Sequence, residues 1–210
     1  MILAEWVEPY LKRLAERYDE PILLAMEEHA VGHNFPIVGR LCGIAIELLT
    51  RSIGAKRVFE LGSGFGYSAY WFGRGVGADG ELHLTDDDPA NAELAREFLS
   101  RADMWDRVQF HVDDAVKSFA LVGGDFDVVF CDVRKELYPD CWRAARDRIR
   151  VGGLWIADNA LVSGSWGSVT GPDERARAVD EHNRLVTDDP EYVATMVPIR
   201  DGMMVALRVS

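Results

Sequence analysis

Cysteine is scarce in this chain. Cys42, Cys131 and Cys141 show no metal-ligand or redox spacing, and an odd count makes a poor disulfide framework, so buried thiols are the simplest expectation. Long apolar runs are missing too: none approaches the roughly 18 residues of a membrane span. The opening MILAEWVEPYLKR carries acids where a secretory leader needs an unbroken apolar stretch. A reducing cytoplasm is the expected setting. Positive charge is short, with 23 Lys and Arg against 35 Asp and Glu and a net charge of −12. That balance argues against a nucleic-acid partner, whose non-specific affinity comes from neutralised phosphates, although it leaves room for a local basic patch. No repeat, low-complexity tract or linker breaks the 210 residues, so one domain is expected, with a helical cap over 1–53 and a core over 54–210.

What is present is an ordinary globular composition, 48% hydrophobic and 28% charged, in an ordered pattern. Leu3, Val7, Leu11 and Leu14 recur at helical intervals across 3–18; a second helix over 21–31 ends at GHNFP, and a third covers 40–53. Strands at 56–61, 81–85, 107–112, 126–131 and 153–157 then alternate with helices at 66–76, 89–102, 115–121 and 138–149. This alternation predicts an α/β fold, a parallel sheet with helices on both faces. After a helix at 173–186, EYVATMVPI and MMVALRVS flank an Asp-Gly turn, which predicts a closing antiparallel hairpin and a sheet of seven strands.

The most informative stretch is VFELGSGFGYS, residues 58–68. Glu60 ends a buried strand where open α/β sheets bind ligands, and Gly62, Gly64 and Gly66 let backbone come close to one. A dinucleotide fingerprint wants a glycine where Tyr67 stands. Asp86, at the end of the second strand, is placed to accept hydrogen bonds from both hydroxyls of a ribose. Asp114 and Ala115 follow the third strand, where they can meet an adenine edge, and Asp114 also suits a helix N-cap. FDVVFCDVRKELY ends its strand at Asp132, with Lys135 and Tyr138 beyond, and GGLWIADNALVSG ends at Asp158 and Asn159. Two carboxylates and an amide carbonyl at one sheet edge are hard oxygen ligands suited to Mg²⁺ or Ca²⁺.

Taken together, ELGSGFGYS, Asp86, the Asp132–Lys135–Tyr138 pattern, Asp158-Asn159 with Gly164, and the closing IRDGMMVALR resemble the divalent-cation-dependent O-methyltransferases, the caffeoyl-CoA and catechol O-methyltransferase family, from about residue 35 onward. The resemblance implies a Rossmann-like class I methyltransferase sheet, S-adenosyl-L-methionine as methyl donor, Mg²⁺ (or Ca²⁺ or Mn²⁺), a phenolic or catechol acceptor and a homodimer. Carried over by position, it implies metal ligation by Asp132, Asp158 and Asn159 and a catalytic Lys135. It implies methionine-end contacts by Gly62 and Ser68 and a ribose contact by Asp86. The full cofactor set is Gly43, Glu60, Gly62, Ser63, Gly64, Ser68, Asp86, Asp114, Ala115 and Asp132, Gly43 by the loosest alignment. Arg134 and Asp113 depart from the family pattern, and 164–174 is this chain's own substrate loop, so the acceptor stays open. Trp166, over a flat ring, and Arg134, toward an anionic tail, are candidates for its mouth. Three other readings compete. One is a methyltransferase of a hydroxylated tRNA base, another an NAD-dependent oxidoreductase on a similar sheet. The last is a non-catalytic binding module.

Overall fold

The computed structural model describes residues 6–161 and 173–210. Three helices lead: α1 (Val7–Ala15), α2 (Pro21–Gly32) and α3 (Gly39–Ser52). The alternating part follows as β1 (Arg57–Leu61), α4 (Tyr67–Val76), β2 (Glu81–Asp86), α5 (Pro89–Arg101), β3 (Val108–Val112), α6 (Ala115–Leu121) and β4 (Phe126–Cys131). A one-turn 3₁₀ segment, Lys135–Leu137, then enters α7 (Tyr138–Ala145). The chain closes through β5 (Ile149–Ala157), α8 (Glu174–Thr187), β6 (Tyr192–Val197) and β7 (Met203–Arg208). The seven strands lie in the order β3-β2-β1-β4-β5-β7-β6. β1 to β5 are parallel, and β7 runs antiparallel between β5 and β6. None of the described helices is long and apolar enough to cross a membrane.

Strand alternation divides the core between the two sheet faces. Val58, Val128 and Phe130 pack with α2 to α5, whereas Phe59, Leu61, Val129 and Cys131 pack with α6, α7 and α8. Near-continuous apolar strands covered on both faces are what a parallel sheet requires.

The sequence pattern places a helix over 138–149 and a strand from 153; the structure ends α7 at Ala145 and starts β5 at Ile149. Ile149 is fully buried and pairs with Phe126, and the register between β4 and β5 then shifts. Gly152, at φ +80°, supplies the left-handed residue that this irregularity needs. A glycine pair inside a strand had read as its beginning.

Gly43 lies in the middle of α3, buried against α4, and a Cβ there would land inside the Trp71 indole. Gly43→Ala is therefore expected to destabilise the fold by about 1–3 kcal/mol through overpacking, read as a lower Tm. An unchanged Tm would mean that Trp71 can move aside.

Candidate functional site

The carboxyl ends of β1, β2, β4 and β5 open into one cleft of about 810 Å³. Its floor is the turn after β1. Gly62, Gly64 and Gly66 have φ of +85°, +48° and +86°, which residues with a Cβ rarely adopt. A Cβ on Gly62 would also come within 2.6 Å of the Asp132 carbonyl oxygen, so this glycine lets the exits of β1 and β4 touch. The turn is fastened to the end of β2. Ser63 N–H donates to the Thr85 carbonyl (2.7 Å), Gly62 N–H to Thr85 Oγ1 (3.1 Å) and Gly64 N–H to Asp86 Oδ2 (3.0 Å).

Asp86 accepts two more hydrogen bonds at Oδ1, from Asp88 N–H (3.0 Å) and Asn91 Nδ2 (2.9 Å). These donors hold the carboxyl group facing the cleft, with lone pairs left for a pair of hydroxyls. Asp88 caps α5 by accepting from Ala90 N–H. Asp114 caps α6 by accepting from Lys117 N–H (2.9 Å), and it lines the cleft as well.

At the other end Lys135 Nζ donates to Asp132 Oδ1 (2.9 Å) and to the Tyr138 hydroxyl (2.7 Å), with the Val133 carbonyl at 3.4 Å. Tyr138 in turn donates to the Asp158 carbonyl (2.8 Å), which ties the exit of β4 to that of β5. Asp158 is only 2% exposed, and its Oδ1 meets the Cys42 thiol at 3.9 Å. Burial, and after it the charge of Asp132, push the Asp158 carboxyl well above the usual carboxylate range. Asn159 follows in a left-handed conformation (φ +49°), which asparagine tolerates better than most residues. Two neighbouring acids, one deeply buried, are poorly stable as anions without a cation between them. Two carboxylates and an amide oxygen are the donors a hard divalent ion takes. The residues therefore fit such an ion. Among the described residues no cluster of three or more His, Cys, Asp or Glu forms a metal site.

Of the residues singled out in the sequence, Gly62, Ser63, Gly64, Ser68, Asp86, Asp114, Ala115, Asp132, Lys135, Asp158, Asn159 and Arg134 all border the cleft. Gly43 and Glu60 do not. Gly43 is occupied with Trp71, as above. Glu60 is fully buried beneath the glycine turn, where neither carboxyl oxygen closes a hydrogen bond. Burial lifts its pKa to about 8, and the neighbouring Ser68 and Ser63 hydroxyls temper the rise. Trp166 and Gly164 lie outside the described residues. Two parts of the cleft wall were not foreseen. Phe35 to Val38 lie over the turn, with the Phe35 ring so close to Gly64 that a Cβ there would approach it to 2.9 Å. Arg175 and Arg200 also border the cleft, Arg200 donating to the Ile37 carbonyl (2.7 Å).

The family model described as O-methyltransferase matches residues 16–209. A Mycobacterium avium protein classed by name among the O-methyltransferases is 29% identical over 192 residues, 90% of this chain and 86% of that one. The structure superimposes on the O-methyltransferase TomG of Streptomyces achromogenes, involved in tomaymycin synthesis and solved with S-adenosylmethionine. The TM-score is 0.83, at 25% identity and 91% coverage of each chain. A methyltransferase of Geobacter sulfurreducens gives a TM-score of 0.85 at 28% identity, over 100% of this chain and 98% of that one.

Proposed function

We propose that this chain, which belongs to the O-methyltransferase family, transfers the methyl group of S-adenosyl-L-methionine to a phenolic or catechol hydroxyl of a small molecule, with a divalent cation bound. The observation that carries the reading is a single cleft shared by the glycine turn, Asp86, and the trio Asp132, Asp158 and Asn159. The donor half is supported by the turn, whose backbone leaves a bare floor, and by Asp86, already oriented for a ribose.

The chemical difficulty lies in the acceptor. A phenol ionises near pH 10, so at pH 7 about one in a thousand is the nucleophilic phenolate, a deficit of roughly 4 kcal/mol. A divalent cation held by Asp132, Asp158 and Asn159 would supply Lewis acidity and a template for two adjacent oxygens. Lys135 fixes Asp132, and Tyr138 fixes Lys135. The ammonium protons are taken up by Asp132, Tyr138 and the Val133 carbonyl, so Lys135 serves as proton acceptor only after giving one up. With sulfonium and oxygen aligned, orientation can supply up to roughly 7–11 kcal/mol of the barrier. The site works mainly as a clamp.

The first test is calorimetric titration with S-adenosylhomocysteine, NADH serving as control. We expect micromolar binding of the former and none of the latter. Methylation of simple catechols is then expected with Mg²⁺ and to vanish in EDTA, while S-adenosylhomocysteine binding persists. Binding of NADH alone would end the methyltransferase reading, and full turnover in EDTA would end the metal assignment. We further propose a cytoplasmic homodimer; Trp6 and Tyr10, exposed on the leading helix, support a contact there, and light scattering tests it.

A further inference from the structure

Residues 33–38 cross from α2 to α3 as a short strap. Phe35 to Val38 line the cleft, and the Phe35 ring rests on Gly64 of the glycine turn. The base of the strap is locked. Glu27 on α2 accepts from Arg40 Nε (3.1 Å) and Nη2 (2.6 Å) on α3, and from the Tyr67 hydroxyl (2.7 Å) on α4. The first half is tied back to α2, because Phe35 N–H donates to the Ala30 carbonyl (2.8 Å). The second half is held from elsewhere in the fold. Arg200 Nη1, in the turn between β6 and β7, donates to the Ile37 carbonyl (2.7 Å) across 163 residues of chain.

Three features mark this as a built contact. The Arg200 backbone is left-handed (φ +49°), in a turn closed by Gly202 N–H on the Ile199 carbonyl (2.9 Å), where glycine would sit without strain. Gly39 leaves the room that the guanidinium takes, since a Cβ there would come within 2.8 Å of Arg200 Nη1. The turn is also anchored on its other side: Ala160 N–H and Leu161 N–H donate to the carbonyls of Gly202 and Asp201, both at 2.8 Å. An exposed arginine that could have pointed into water instead ties the segment after Asp158 and Asn159 to the strap.

We infer that Arg200 is a positioning residue for the methyl donor: from the β6–β7 hairpin it latches the strap against the glycine turn and so retains the donor bound there. It acts through the strap and not by touching the donor. This inference rests on S-adenosyl-L-methionine as the donor and names what holds it in place.

Binding and release of S-adenosylhomocysteine are measured on the full chain by calorimetry and stopped flow, for wild type, Arg200→Ala and Arg200→Lys. The work is done in EDTA, which removes any route through a cation at Asp158, whose carboxyl feels the Arg200 charge. Both variants keep the side-chain-bearing, left-handed residue, and lysine alone keeps an N–H donor for the carbonyl. Arg200→Ala is expected to release the ligand about 3–10-fold faster, the range of one net hydrogen bond, with association little changed. Arg200→Lys is expected to recover most of that difference. Amide hydrogen exchange over residues 34–39 is expected to quicken in ligand-free Arg200→Ala and to return toward wild type in Arg200→Lys. Unchanged release in Arg200→Ala overturns the inference. Faster release with unchanged exchange in the strap overturns it too, because Arg200 would then grip the donor directly. If wild type itself binds no S-adenosylhomocysteine, the donor reading falls and this one with it.

Discussion

Asp158→Ala is expected to keep S-adenosylhomocysteine affinity within about twofold while catechol methylation drops on the order of 10²–10³-fold, with little recovery in excess Mg²⁺. The two effects separate because the cleft has two halves. The glycine turn and Asp86 belong to β1 and β2, and removing a carboxylate at the end of β5 leaves their hydrogen bonds alone. What keeps β5 in place is backbone: Asp158 N–H donates to the Cys131 carbonyl (3.1 Å), and the Asp158 carbonyl accepts from Tyr138. The side chain, by contrast, is a buried acid set against the charge of Asp132. Its loss relieves that repulsion in metal-free protein, so Tm in EDTA is expected to hold or rise. A lower Tm would make the activity loss a folding defect, and undiminished turnover would remove Asp158 from the chemistry.

Glu60→Gln is expected to reshape the pH dependence of stability in ligand-free protein. The ordinary carboxyl pKa of 4.5 applies to the unfolded chain, and about 8 to the fold. Below pH 4.5 both states hold the proton, and Glu60 contributes no slope. Between these values only the folded state keeps it, so wild-type stability falls as pH rises, by about 1.4 kcal/mol per unit. Above pH 8 the loss is complete, on the order of 5 kcal/mol. Glutamine cannot ionise and lacks this slope. The variant and wild type are thus expected to melt together near pH 4.5 and to diverge by pH 9, with the variant more stable. Parallel Tm curves over that range would show that Glu60 finds a partner or water in solution.

Much of this was legible in the chain. The apolar strands and their helical spacers placed six of the seven strands to within a residue or two; β1, β2 and β4 are buried along nearly their whole length and leave an unmistakable run of large side chains. The glycine turn was equally plain, since its left-handed positions admit few other residues. Contacts set by tertiary approach were not legible. Gly43 carries the same letter whether it faces a ligand or Trp71, and only the packing of α3 on α4 decides. Glu60 sits at a strand end as a ligand-binding acid would, yet its side chain lies under the turn. Phe35 to Val38 announced a helix break, through Asn34 and Pro36, but nothing about lying over Gly64.

The antiparallel insertion of β7 has a consequence for how the molecule is made. Ala160 N–H and Leu161 N–H donate to the carbonyls of Gly202 and Asp201, so the segment after Asp158 is fastened by the hairpin that leads into β7. Leu154, Ile156, Met203 and Val205 belong to the same buried cluster as Val58, Phe65 and Tyr67, so the core under the glycine turn is completed only when β5 and β7 are in place. Domains generally fold as units during synthesis. Both ends of the cleft therefore take shape together, once residues 201–208 have emerged and slotted between β5 and β6.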